Sequence, residues 1–98
     1  MWQIFEHRNL QRHIRKLPKD ILKRYEEWKD IVEISGPAGL RLIRGFNDEP
    51  LRGDWKGDRS SRLGNQFRAI YRVERKELFV LVIDVTADDY RRGSDERL

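Results

Sequence analysis

"RSSRLGNQFRAIYRVERKELFVLVIDVT", residues 59–86, carries three successive strand-like runs separated by polar turn residues. Alternate residues of a strand share a face, so period-two patterning marks a sheet with one face toward a core. The pattern predicts a strand over 59–63, a turn at Gly64 and Asn65, a partner strand over 67–74, and a third and most buried strand over 78–86. In the middle strand Phe67, Ala69, Tyr71 and Val73 fall on one face, and Arg68, Ile70 and Arg72 on the other. If the aromatic face meets the core, the arginines project from the opposite face.

Working outward toward the N-terminus, "WQIFEH" alternates Trp2, Ile4 and Glu6 against Gln3 and Phe5, which predicts a short first strand. Asn9 is positioned to cap a helix with Leu10, Ile14 and Leu17 on one face. Pro18 fits the first turn of a second helix, whose buried stripe is Ile21, Leu22, Tyr25, Trp28, Ile31 and Val32. "SGPAG", residues 35–39, ends that helix, and residues 40–53 read as an irregular connection with one helical turn. The expected fold class is therefore α+β, in the order β-α-α-β-β-β with a short C-terminal turn. Two helices cover one face of a mostly antiparallel sheet, and the other face is left for a different use. Residues 1–92 are expected to form one domain, and the polar tail over 93–98, "GSDERL", to be flexible.

Composition narrows the function classes. Charged residues make up 39% of the chain and hydrophobic ones 38%, while three Trp, four Phe and three Tyr supply bulk for a modest core. The formal charge of +4 and a pI near 9.7 favour a polyanionic partner, either nucleic acid or an acidic protein. Without cysteine there is no disulfide framework and no thiolate zinc site, and a reducing cytoplasm is the expected compartment. No apolar run reaches the roughly 20 residues of a membrane helix, and "MWQIFEHRN" lacks the apolar core of a signal peptide, so no membrane role is expected.

The chemistry-bearing residues are mainly arginines. Ser60 and Arg62 share a face of the first of these three strands, as Arg68 and Arg72 do in its partner. Lys56 and Arg59 precede them, and Arg91 and Arg92 follow the last strand. Guanidinium offers a planar fork of donors suited to phosphate oxygens and to the charge that grows on phosphorus during displacement. The competing structural reading pairs these arginines with Asp54, Asp58, Asp84 or Asp88 on a solvated face. His7 and His13 match no metal-ligand spacing, and surface or capping roles are expected for them. "GLRLIRG" lacks the lysine and hydroxyl of a phosphate loop, and a helix start is the simpler reading of Asp88 and Asp89 than a metal pair.

"FNDEPLRGDWKGDRSSRLGNQFRAIYRVERKELFVLVIDVTADDYRR", residues 46–92, resembles the RelE/ParE superfamily of toxins, closest to its YafQ-like and HigB-like branches. The resemblance implies a RelE-like fold and a toxin of a type II toxin–antitoxin system, held by a cognate antitoxin. RelE-like relatives cut mRNA on the ribosome through the ribose 2′-hydroxyl, with no metal and no cofactor. It further implies a catalytic set of Arg62, Arg68, Asp88 and Tyr90, with Arg62 and Arg68 on the phosphate and Tyr90 near the bound base. Lys56, Arg59, Ser60, Arg72, Arg91 and Arg92 become RNA-binding candidates, and Tyr71 a structural tyrosine. The chain departs from the pattern at "ADDY", residues 87–90, where Asp88 stands in place of the histidine of an "HDY" motif. Glu49 likewise stands where YafQ-like relatives have histidine. An ordinary Asp, with a pKa near 4, is a weak base at neutral pH. The alternative is therefore a ParE-like, gyrase-directed toxin, or a catalytically weakened relative acting only through antitoxin or RNA binding.

Overall fold

The architecture, taken from a computed structural model that describes residues 1–87, is a five-stranded sheet with helices on one face. Strand β1 (Gln3–Glu6) leads into helix α1 (Arg8–Arg15) and the longer helix α2 (Lys19–Ser35). Three short 3₁₀ segments follow, Pro37–Leu42, Arg44–Phe46 and Gly53–Trp55, with a two-residue strand β2 (Glu49–Pro50) among them. Strands β3 (Arg59–Arg62), β4 (Phe67–Glu74) and β5 (Phe79–Ala87) complete the sheet in the order β1-β5-β4-β3-β2. Only the β1–β5 pairing is parallel; the others are antiparallel. The α+β class, the helical layer and the mostly antiparallel sheet are as the sequence predicts.

The core lies between the helices and the inner sheet face. Tyr25, Trp28 and Val32 of α2 meet Ala69 and Tyr71 of β4 and Val80, Val82 and Val85 of β5, all wholly buried. Trp28 stacks on Tyr25 at 5.7 Å and meets Tyr71 edge-on at 5.2 Å. Pairs of this geometry contribute about 0.5–1.5 kcal/mol beyond burial. The spacing of four and three that marks the buried stripe in the sequence is thus the face α2 presents to the sheet.

Four local features differ from expectation. The cap of α1 is His7, whose Nδ1 accepts from the Asn9 amide at 3.4 Å; Asn9 itself lies inside the helix. Pro18 caps α2 and does not enter its first turn. The connection over 40–53 contains a strand, because Glu49 and Pro50 pair with Ser60 and Arg59 at the sheet edge. Two residues are too few to show an alternation in sequence. Finally, β4 carries four consecutive buried residues, Arg68 to Tyr71, whereas β5 buries three, so β4 is the more enclosed strand.

A register shift between Ile70 and Tyr71 of β4 makes a bulge in β5 at Ile83. The inner positions of β5 are Val80 and Val82 before it and Val85 after it. The bulge therefore reconciles an apolar run that has no single period with one buried face. Gly36 ends α2 with φ of +74°, a conformation that favours glycine, and a Cβ there would lie 2.5 Å from the Trp2 indole nitrogen. Among the described residues no helix is long and apolar enough to cross a membrane.

Candidate functional site

Strand pairing assembles the outer face. In β3, Arg59 and Ser61 point toward the helices, and Ser60 and Arg62 point away. Arg62 stands directly opposite Arg68, and Ser60 opposite Ile70, while Thr86 of β5 flanks Arg68 on the other side. The two arginines expected on the phosphate are thus cross-strand neighbours on the face that the helices leave uncovered.

That face is not bare. Ser60 and Ile70 are wholly buried, and the Arg68 side chain is 9% exposed. The Arg68 guanidinium donates to Ser60 Oγ at 3.3 Å and stands 3.8 Å from the Glu49 carboxylate, whose side chain is 42% exposed. Arg62 donates to the carbonyl oxygens of Asn65, at 3.0 Å, and Gly64, at 3.4 Å, in the β3–β4 turn. Both guanidiniums are therefore oriented by fixed acceptors. Glu49 reaches the arginine pair because β2 is paired onto the edge of β3.

The other candidates divide by position. Arg72 is exposed and donates to the buried Asp58 at 2.9 Å, an ion pair that holds the Arg72 guanidinium above its usual pKa. This is one of the acid pairings the structural reading of the sequence names. Arg59 turns to the inner face and binds Asp48 through Nε at 2.9 Å and through its terminal nitrogen at 2.8 Å. Burial pulls the Arg59 guanidinium down, its bonds to Asp48 outweigh that effect, and the net direction is upward. Lys56 is exposed in the loop after Gly53–Trp55. Asp88, Tyr90, Arg91 and Arg92, and the tail over 93–98, lie outside the described residues.

Two acids emerge that composition could not single out. Asp48 has a fully enclosed side chain and accepts from Arg59, from Ser61 Oγ at 2.8 Å and from the Tyr71 hydroxyl. Ser61 in turn accepts from the Trp28 indole at 2.9 Å, so the network runs from α2 through β3 and β4 to the residue before β2. Burial first, and Asp48 second, push the Tyr71 hydroxyl well above its ordinary pKa. Glu49, next in the chain, inherits a fixed position beside Arg68. The clue in the sequence is "DE" at 48–49: adjacent residues of extended chain point to opposite sides, and here Asp48, just before β2, faces the core while Glu49 faces the arginines.

Chemically, the outer face pairs two oriented guanidiniums with a half-exposed carboxylate. Such a set is able to hold a phosphodiester and accept a proton beside it.

No protein-family model matches the chain, and no curated protein sequence does. Solved structures do match. The archaeal RelE–RelB complex from Pyrococcus horikoshii OT3 is 24% identical, with a TM-score of 0.70 over 91% of this chain and 97% of that one. The RelBE2 toxin–antitoxin complex from Mycobacterium tuberculosis is 23% identical, with a TM-score of 0.63 over 88% and 96%. A histidine-to-glutamine mutant of YafQ from E. coli is 19% identical, with a TM-score of 0.65 over 89% and 93%. With the sheet order, the helical layer and these alignments over nearly the whole length of both partners, the chain has the fold of the RelE/ParE toxin superfamily.

Proposed function

We propose that this protein is the toxin of a type II toxin–antitoxin pair and that it cleaves mRNA on the ribosome. The observation that carries the reading is the cross-strand pair Arg62 and Arg68, with Glu49 against Arg68, on the sheet face opposite the helices. The ribose 2′-hydroxyl attacks the adjacent phosphorus, passing its proton to Glu49. The bond from O2′ to phosphorus forms, and the bond from phosphorus to O5′ breaks. The products are a 2′,3′-cyclic phosphate and a 5′-hydroxyl end. Arg62 and Arg68 stabilise the extra negative charge on the five-coordinate phosphorus, which is where pre-oriented cations lower a barrier most. The leaving O5′ takes its proton from solvent; Asp88 and Tyr90 follow β5 in sequence, Asp88 as the candidate to position the donating water and Tyr90 as the candidate to stack on the base.

Glu49 supplies a proton acceptor that does not depend on Asp88; as a carboxylate it is a weak base too, so the reading places most of the rate acceleration on charge stabilisation by Arg62 and Arg68. An antitoxin partner accords with the toxin–antitoxin complexes that share the fold. The test is to express the chain alone and map mRNA 5′ ends. New in-frame ends on translated messages are expected, and growth arrest with unchanged transcripts would sink the proposal. Arg68→Ala should abolish both cleavage and arrest. Toxicity retained in a folded Arg68→Ala protein, together with inhibited supercoiling by purified gyrase, would instead favour the gyrase-directed reading.

A further inference from the structure

The two edges of the sheet are not alike. At one, β2 is two residues long and carries Pro50, and shortness and proline both keep an edge from pairing further. At the other, β1 reads "QIFE" and contains no proline, lysine or arginine. The Gln3 amide donates to the Leu78 carbonyl at 3.0 Å, so Gln3 and Phe5 turn their backbone groups toward β5. Ile4 and Glu6 alternate with them, and their amides point away from the sheet, with no strand beyond β1 among the described residues. The surface beside this edge is apolar. Phe5 is 48% exposed and rests edge-on against Phe79 at 5.2 Å, and Leu78 next in the chain to Phe79 is 44% exposed. A shallow groove along the strand is lined by Met1, Trp2, Gln3, Ile4, Phe5 and Glu33.

We infer that the β1 edge is a self-association surface, and that its occupant is the same strand of a second copy, paired antiparallel about a two-fold axis. Charge argues for this occupant. Trp2 to Phe5 carry no charge, and Glu6 is balanced by Lys29 at 3.5 Å, which leaves Glu33 on the rim of the groove. Such an edge gives a polyanion nothing to hold and meets an acidic chain with a repulsive rim. Geometry argues for it as well. With Ile4 of each copy opposite Glu6 of the other, the outward backbone groups exchange hydrogen bonds, and Phe5 stands opposite its own counterpart at the axis. The two Phe5–Phe79 pairs then close into one aromatic cluster. The β2 edge is protected, so pairing ends at two copies and does not grow into a filament. Four residues a side span roughly 13 Å, which places the contact at the small end of specific interfaces, with a dissociation constant in the micromolar range or weaker. Strands β5 and β4 separate β1 from β3, so the pairing leaves the Arg62 and Glu49 end of the outer face uncovered. The inference stands whether or not the chain cleaves RNA.

The experiment is sedimentation velocity of the full chain from about 1 µM to about 1 mM. The sedimentation coefficient should rise from monomer toward dimer and stop there. Each copy carries a formal charge of +4, so raising salt from about 50 mM to about 500 mM should tighten the dimer by screening repulsion. Phe5→Lys sets two like charges at the axis and should abolish the dimer, while circular dichroism shows a wild-type fold. The chain has no cysteine, so Phe5→Cys carries a single thiol. Residues facing each other at the axis suit a disulfide, and oxidation should link Phe5→Cys into dimers about tenfold faster than Gln66→Cys, exposed in the β3–β4 turn. Hydrogen exchange of the Ile4 and Glu6 amides should slow as concentration rises. A monomer at every concentration, wild-type association in Phe5→Lys, or equal crosslinking of Gln66→Cys would overturn the inference. A dimer that weakens as salt rises would also overturn it, by giving the contact to the charged helix faces.

Discussion

At the scale of single residues, neighbours Asp48 and Glu49 do different work. Asp48 is enclosed and gathers Arg59, Ser61 and Tyr71, so removing its charge strands a guanidinium and two hydroxyls. Asp48→Ala is expected to cost roughly 3 kcal/mol, the lower end for a broken buried pair because Arg59 retains some contact with water. A urea midpoint shift at constant m would register it. Glu49 is half-exposed, and Glu49→Gln keeps its size and an acceptor oxygen while removing its basicity. Stability is expected to stay within about 0.5 kcal/mol, while single-turnover cleavage falls about 100-fold or more. Full activity in Glu49→Gln would remove this residue from the proton-transfer role. The sequence marks both positions as acids, but their separate roles follow from the pairing of Glu49 in β2 onto β3, which turns Glu49 outward and the preceding Asp48 inward.

At the scale of elements, the junction between α2 and the sheet is closely constrained. Gly36 combines a positive φ with close approach of the Trp2 ring, and the Trp2 amide donates to the Glu33 carbonyl at 3.2 Å. Gly36→Ala therefore meets both a backbone penalty and a clash, and is expected to destabilise by about 2 kcal/mol or more. The thermal midpoint should fall by about 8 °C or more, at roughly 4–8 °C per kcal/mol for a domain of this size. A midpoint within a degree of wild type would show that β1 moves freely against α2. The helices and β4 were legible in the sequence because each repeats its period over several residues, while β5 was legible as a continuous apolar run and β3 by the turn at Gly64 and Asn65. The α1 cap and β2 were not, since a histidine cap and a two-residue edge strand leave no repeat to read.

At the scale of the whole molecule, two buried tyrosines tie the layers together. Tyr25 of α2 donates to Glu6 of β1, and Tyr71 of β4 donates to Asp48. Burial first, and the adjacent carboxylate second, raise both hydroxyls above their ordinary pKa. Above about pH 10 the unfolded chain releases these two protons and the folded chain keeps them, so stability falls as pH rises from there. Below that pH their contribution is fully present. Urea midpoints measured from pH 8 to 12 should decline beyond about pH 10, and Tyr71→Phe should flatten the decline by about half. An unaltered slope in Tyr71→Phe would show that its hydroxyl titrates freely.

Local patterning in the sequence suffices for the fold class, the buried stripes of the helices, the inward face of β4 and the arginine-bearing outer face, because hydrophobic period is a local property that burial in a single core makes consistent along the chain. Only the tertiary structure decided which arginines serve what. Arg59 and Arg72 have the same charge as Arg62 and Arg68, yet Arg59 is bound to Asp48 and Arg72 to Asp58, while Arg68 stands beside Glu49. Those partners come from the connection over 47–58, which has no period of its own. Its placement follows from long-range pairing at the edge of β3, and pairing of that kind depends on distance in space rather than along the chain.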